Sequence, residues 1–241
     1  MACSSRPAIE WAADPGRRPL GPQIAQLRRC GAAALADRIA EATAGARPDP
    51  ADWEAPDDWL DGRQTLPLHG RELVAIPTPG HTAGHLVFAD ERNGLLFAGD
   101  HVLPHITPSI GFEPVPTELP LRAYLSSLAL VRRLPDLRLL PAHGPVAGSV
   151  HARVDQLLDH HGARLDACQA AVEADRHTAY TVAIALPWTR RATQFADLDL
   201  FNQMLAVSET EAHLDLLAAQ RRLTRTPTDG VVHYRAGGRS R

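Results

Sequence analysis

Three short turns constrain this chain more than any other feature of its sequence. Pro79-Gly80-His81, Ala98-Gly99-Asp100 and Pro141-Ala142-His143-Gly144 each close a short apolar run, and each sets a glycine beside a side chain with a lone pair to offer. The runs are Glu72-Leu-Val-Ala-Ile76, Leu95-Leu-Phe-Ala98 and Leu137 to Leu140. They have strand length and are bounded by turn residues. A strand that stops, a glycine that turns tightly and a donor carried on the following loop together place that donor at a sheet edge. His85 to Ala89 reads as a further strand, joined to the Leu95 run by the turn Asp90-Glu-Arg-Asn-Gly94. Leu121, Leu125, Leu128 and Val131 recur at helical spacing, and Val154, Leu157, Leu158, Leu165 and Val172 mark a long helix. Strands alternating with helices predict an α/β fold.

His81, Asp100 and His143 are the candidate metal ligands, because imidazole nitrogen with carboxylate oxygen is a common zinc donor set and a carboxylate can bridge two ions. His85 fits a strand residue or a support for a ligand. His101 and His105 fit a pocket wall or the surface, while His69, His151, His177, His213 and His233 belong to no constellation and read as solvated. Trp53 and Trp59 suit core packing at least as well as the roof of a site. Arg221, Arg222 and Arg225 read as a solvated helix end rather than a nucleic-acid surface.

The wording of these segments resembles the metallo-β-lactamase superfamily. Thr78-Pro-Gly-His-Thr-Ala-Gly-His85 is similar to its third motif, Phe97-Ala-Gly-Asp100 to its fourth and Pro141-Ala-His-Gly144 to its fifth. Gly99-Asp-His-Val-Leu-Pro104 looks like the branch of hydroxyacylglutathione-hydrolase-like and β-lactamase-like-2 proteins. The resemblance covers roughly residues 50 to 235 and implies a partial αββα sandwich with a C-terminal winged-helix-like region. It also implies a zinc-dependent hydrolase of ester- or thioester-type bonds in a small-molecule substrate, using metal-bound hydroxide. His81 would then serve the first metal, Asp100 would bridge, and His143 would serve the second.

The family's leading His-x-His-x-Asp-His is not in these residues. Of twelve histidines none precedes His69, and Asp155 and Leu157 stand where a motif ending in Asp159-His160 would need its own. Two donors then remain for each ion, against the three that catalytic zinc usually keeps. The sequence therefore predicts weak zinc retention, little turnover, and a sheet face without its partner. A truncated or frameshifted frame, or one half of a split protein completed by an N-terminal half, fits this pattern. Three readings stay open: such a hydrolase, a non-catalytic remnant of the fold, and a nucleic-acid-binding or RNA-cleaving relative acting through the winged helix.

The remaining segments say less. The expected division is 1–49, 50–175 and 176–241. Residues 1–21 read as irregular, and 22–44 as one helix stopped by Gly45, with Gly31 as its weak point. Leu198 to Met204 and Thr210 to Leu223 suggest two helices, and Thr224 to Tyr234 a hairpin around Pro227-Thr-Asp-Gly230. A net charge of −3 offers no basic field for nucleic acid or anionic membrane, and no 18-residue apolar run occurs. Three cysteines without a CxxC pair fit a reducing cytoplasm better than a disulfide framework. A homo-oligomer is compatible with all of this.

Overall fold

The computed structural model describes residues 6–14, 16, 18–46, 56–189 and 191–237. Cys3, Trp53 and the connector from Arg47 to Trp53 lie outside these residues. The apolar runs form a five-stranded sheet in the order β1 (Gln64–Leu68), β2 (Arg71–Pro77), β3 (Leu86–Asp90), β4 (Leu95–Gly99) and β5 (Arg138–Pro141). The first three pairings are antiparallel and β4 with β5 is parallel. That last pairing requires a crossover, which α4 (Pro120–Arg132) supplies. It follows that β2, β4 and β5 all run the same way and end at the same edge.

Side chains alternate across the sheet. The register sets Val74 opposite Ala89, Ile76 opposite Val87 and Ala89 opposite Leu96. With Ala98 and Leu139, this face enters the core, shared with Leu121 and Leu128 of α4 and Val154 and Leu157 of α5 (Val150–Glu173). On the opposite face Ala75, Phe88 and Phe97 line up across three strands, and Phe88, Phe97, Leu66 and Leu73 are only half-buried.

Helix α7 (Leu200–Ala219) is the hub of the helical layer, touching α4, α5, α2 (Gly21–Arg29), α3 (Ala33–Thr43) and α6 (Ala179–Ala185). Sequence periodicity suggests two helices here because Ser208-Glu-Thr-Glu211 interrupts the apolar pattern. The polar run continues the helix instead, for a physical reason. Ser208, Thr210 and Glu211 are buried with partners: Thr210 Oγ1 donates to the Ala206 carbonyl at 2.8 Å, and Gln26 Nε2 donates to Glu211 at 2.8 Å. A helix buried on all sides shows no apolar stripe.

Other departures from the sequence reading are local. The N-terminal stretch holds a helix, α1 (Arg6–Ala13), where irregular chain is expected. The helix expected over 22–44 divides into α2 and α3 at Gly31, whose φ of 81° no interior helical residue adopts. Helix α6 and strand β1 lack a sequence signal of their own; α6 is fixed by a capping box between Thr178 and Thr181. The hairpin of β6 (Leu223–Thr228) and β7 (Val231–Ala236) forms as expected. It is tied to α7 by Tyr234, whose hydroxyl donates to Asp215 at 2.7 Å, and to α5 by Arg222, which pairs with Asp166 at 2.7 Å. Among the described residues no helix is long and apolar enough to cross a membrane, and Cys30 and Cys168 are free and buried.

One close approach locks the sheet edge to the helical layer. Gly80 has φ 138°, and a Cβ there would lie 2.4 Å from the backbone of Tyr124 in α4. Gly80→Ala is expected to cost about 3 kcal/mol or more, because backbone cannot yield as a side chain can. Gly94→Ala, at φ 66° with open space around it, should cost only about 1 kcal/mol. Urea unfolding followed by circular dichroism separates the two.

Candidate functional site

The shared edge of β2, β4 and β5 carries the three candidate ligands. His81 follows the turn after β2, and its Nδ1 lies 2.8 Å from the Ser109 carbonyl. A carbonyl only accepts, so Nδ1 carries the proton and Nε2 is left as a lone-pair donor. Asp100 directly follows β4 and His143 follows β5, with His143 Nε2 3.4 Å from Asp100 Oδ1. The backbone N–H of Ala142 donates to the Gly99 carbonyl at 2.9 Å and keeps those two loop starts side by side. His81, Asp100 and His143 all line one cleft of about 1010 Å³, which His105, Arg153 and Trp188 also line. The structure thus brings together all three residues that the sequence singles out. Imidazole nitrogen and carboxylate oxygen are donors of the chemistry that a metal such as zinc accepts, although among the described residues these three do not close into a single tight cluster.

Behind this edge lies a column of rings that the sequence reading does not anticipate. His85 is buried at the start of β3, its Nδ1 2.8 Å from Thr78 Oγ1, and its ring centroid is 6.3 Å from that of His81. Burial, and then the neighbouring His81, lowers its pKa to about 4. His101 is fully buried rather than at a surface or pocket wall, 5.7 Å from the His85 ring and 5.1 Å from Tyr124. Burial lowers it to about 3. Tyr124 in turn meets His161, and His161 stacks on His213 at 5.3 Å. His213, expected to be solvated, is fully buried inside α7.

The far end of the column reaches a second donor group. Among the described residues, His160, His161 and Glu209 form the one set of three whose ligand atoms lie within 4.8 Å of one another. His160 and Glu209 line the same cleft. Sequence reasoning passes over this group because α5 and α7 meet only in the folded chain; the one local hint is the Asp159-His-His161 doublet. The arginines nearby are fixed. Arg153 donates to the carbonyls of Leu103 and Ile106, and Arg164 donates to the Pro187 carbonyl while lying 3.9 Å over Trp188. Arg225 of the expected solvated helix end pairs with Asp215 at 2.8 Å.

A family model, Metallo-beta-lactamase superfamily, matches residues 10–143. The chain belongs to the metallo-β-lactamase superfamily. The match begins well before residue 50, so the likeness extends into the N-terminal helices, where none is expected from the motifs. Among curated relatives, the chain is 33% identical over 102 residues to a Caenorhabditis elegans beta-lactamase-like protein 2 homolog, covering 42% of this chain and 32% of that protein. It is 30% identical over 103 residues to an atrochrysone carboxyl ACP thioesterase of Aspergillus fumigatus, covering 43% of this chain and 23% of that one. The chain thus spans about a third of the length of the first relative and less of the second. Among solved structures, the Thermus thermophilus metallo-beta-lactamase family protein is similar at a TM-score of 0.73 and 26% identity, over 95% of this chain and 67% of that one.

The buried histidines set a pH dependence. An unfolded histidine takes up its proton near pH 6.5, whereas folded His101 stays neutral down to about 3. The unfolded state therefore binds more protons across this window, and stability falls as pH falls below about 6.5. His101→Phe removes one such proton. In chelator-containing buffer its stability should change less steeply between pH 6 and 5, by about 1.4 kcal/mol per pH unit. Urea titrations at both pH values, returning the wild-type slope, would refute this.

Proposed function

We propose that this chain carries part of the active site of a zinc-dependent hydrolase that cleaves a thioester or ester. The observation that carries the reading is the convergence of His81, Asp100 and His143 at one sheet edge, on one cleft. His81 would hold one ion, His143 another, and Asp100 would bridge them. When bound, zinc supplies an acidified water and stabilises charge on the carbonyl oxygen. The protein's own contribution is positional. The Ser109 carbonyl fixes the tautomer of His81, and the link from Ala142 to Gly99 holds Asp100 beside His143.

The acyl preference rests on the cleft wall. Leu103, Ile106, Leu157, Trp188 and Leu205 offer an apolar lining next to the donors, suited to the acyl part of such a substrate. A thioesterase among the relatives supports the same choice. In this reading the hydrolase portion, which the family likeness carries back from residue 50 to residue 10, ends near 175, and α6, α7 and the hairpin form a winged-helix-like unit.

The donor count sets the expected activity. With two protein donors per ion, the 241-residue chain should retain zinc poorly at this edge and hydrolyse thioesters little above background. Supplying a segment that bears His-x-His-x-Asp-His, in cis or in trans, should raise both metal retention and turnover. In that complemented protein Asp100→Ala should lower kcat/KM by about 100-fold or more, since both ions lose a ligand. An acyl-thioester assay with added zinc tests this. Robust turnover by the uncomplemented chain, or full activity of the Asp100→Ala protein, would overturn it.

A further inference from the structure

We propose that His160 and His161 of α5 and Glu209 of α7 form a separate site for a zinc-type divalent ion on the wall of the same cleft, clamping the two helices together. This site is independent of the sheet-edge residues and takes nothing from them.

The argument starts at the backbone carbonyl of Glu209, which can only accept a hydrogen bond. His213 Nδ1 lies 2.7 Å from it and therefore carries the proton. His213 is fully buried, where an uncompensated charge is costly, so the ring is neutral and its Nε2 is an acceptor. His161 Nδ1 lies 3.1 Å from that Nε2 and must donate to it. The only lone pair left on the His161 ring is on Nε2. That atom is fully buried and has no hydrogen-bond partner. A buried, unpaired imidazole nitrogen is costly unless something occupies it.

What stands around Nε2 defines the occupant. His160, His161 and Glu209 each bring a ligand atom within 4.8 Å of the others, and Nε2 is the His161 nitrogen with a lone pair to give. A hydrogen-bond donor would satisfy one of the three; a divalent ion satisfies all of them. Two imidazoles with one carboxylate are a donor set that zinc accepts with a further position open to water. The chain from His161 through His213 to a carbonyl is the outer support that fixes the tautomer of a ligating histidine. Glu209 supplies the carboxylate oxygen of the set and lines the same cleft as His160. Arg164, the cation nearest in effect, is directed elsewhere, onto Trp188 and the Pro187 carbonyl.

The test uses the full 241-residue chain, stripped with chelator and then dialysed against Zn²⁺ alone. The wild type should hold one tightly bound equivalent, and its Tm should rise with Zn²⁺. His160→Ala, at an exposed position, and Glu209→Gln should each lose that equivalent and the Tm rise, while matching wild-type circular dichroism in chelator. The double variant Asp100→Asn with His143→Ala should keep both. Co²⁺ substitution gives a second readout, as visible absorption lost in the first two variants and kept in the double one. The inference is overturned if the wild type holds no tight Zn²⁺. It is equally overturned if the ion survives both His160→Ala and Glu209→Gln, or if it disappears from the double variant. Failure of thioester hydrolysis bears on the sheet edge alone and leaves these outcomes unchanged.

Discussion

Because β5 lies parallel to β4, with Leu96 beside Leu139 and Phe97 beside Leu140, the chain has to cross over through α4 and re-enter the sheet from the same end. Two antiparallel steps separate β2 from β4, so β2 points that way too. Strand direction therefore decides which loops meet. The turns after β2, β4 and β5 open at one edge, and the loops that connect to β3 open partly at the other. His81, Asp100 and His143 share a cleft because their strands share a direction, although they are far apart in the chain. Gly80, pressed against the backbone of Tyr124, then fixes how that edge sits on the helical layer.

The interior is less apolar than its depth suggests. His85, His101, His161 and His213 are all buried, and burial keeps each of them neutral. Neutral imidazole has one donor and one acceptor nitrogen, so a carbonyl facing one of them fixes the tautomer. At the sheet edge His81 spends its donor on the Ser109 carbonyl; in the helices His213 spends its donor on the Glu209 carbonyl. Both backbone contacts have the same consequence, a lone pair aimed away from the carbonyl. Ring contacts through His85, His101 and Tyr124 run between these two places.

Much of the sheet, and the meeting of His81, Asp100 and His143 on one cleft, were legible in the sequence, because both are encoded locally. An apolar run that stops at a glycine beside histidine or aspartate carries its meaning in a few adjacent residues, as at Gly99-Asp100. What escaped was encoded at a distance. Strand β1 ends in exposed Pro67 and Leu68, with too little alternation to announce itself. Helix α7 hides its continuity because its polar centre finds partners on α2, and Gln26 is invisible from Glu211 in the sequence. His213 looked solvated for the same reason: periodicity cannot show a position buried on a helix with no exposed side. The His160–Glu209 grouping arises only from how α5 crosses α7.

The arrangement also separates what holds the fold together from what lines the sheet edge. The core runs through Ile76, Val87 and Leu96 of the sheet, Leu128 of α4, Leu157 of α5 and Leu214 of α7, and none of the three edge donors belongs to it. Those donors ride on loops whose geometry is set by backbone contacts: Ala142 to Gly99, His81 to Ser109, and Arg153 to Leu103 and Ile106. Folding energy therefore comes from apolar burial rather than from the loops that carry these side chains. A site built in this way can lose or gain a ligand without unfolding the protein. Burying His161 with an unpaired nitrogen works in the opposite sense, since that group sits within the core and its satisfaction contributes to stability directly. The two donor groups thus differ in kind: one is hung on the fold, the other is built into it.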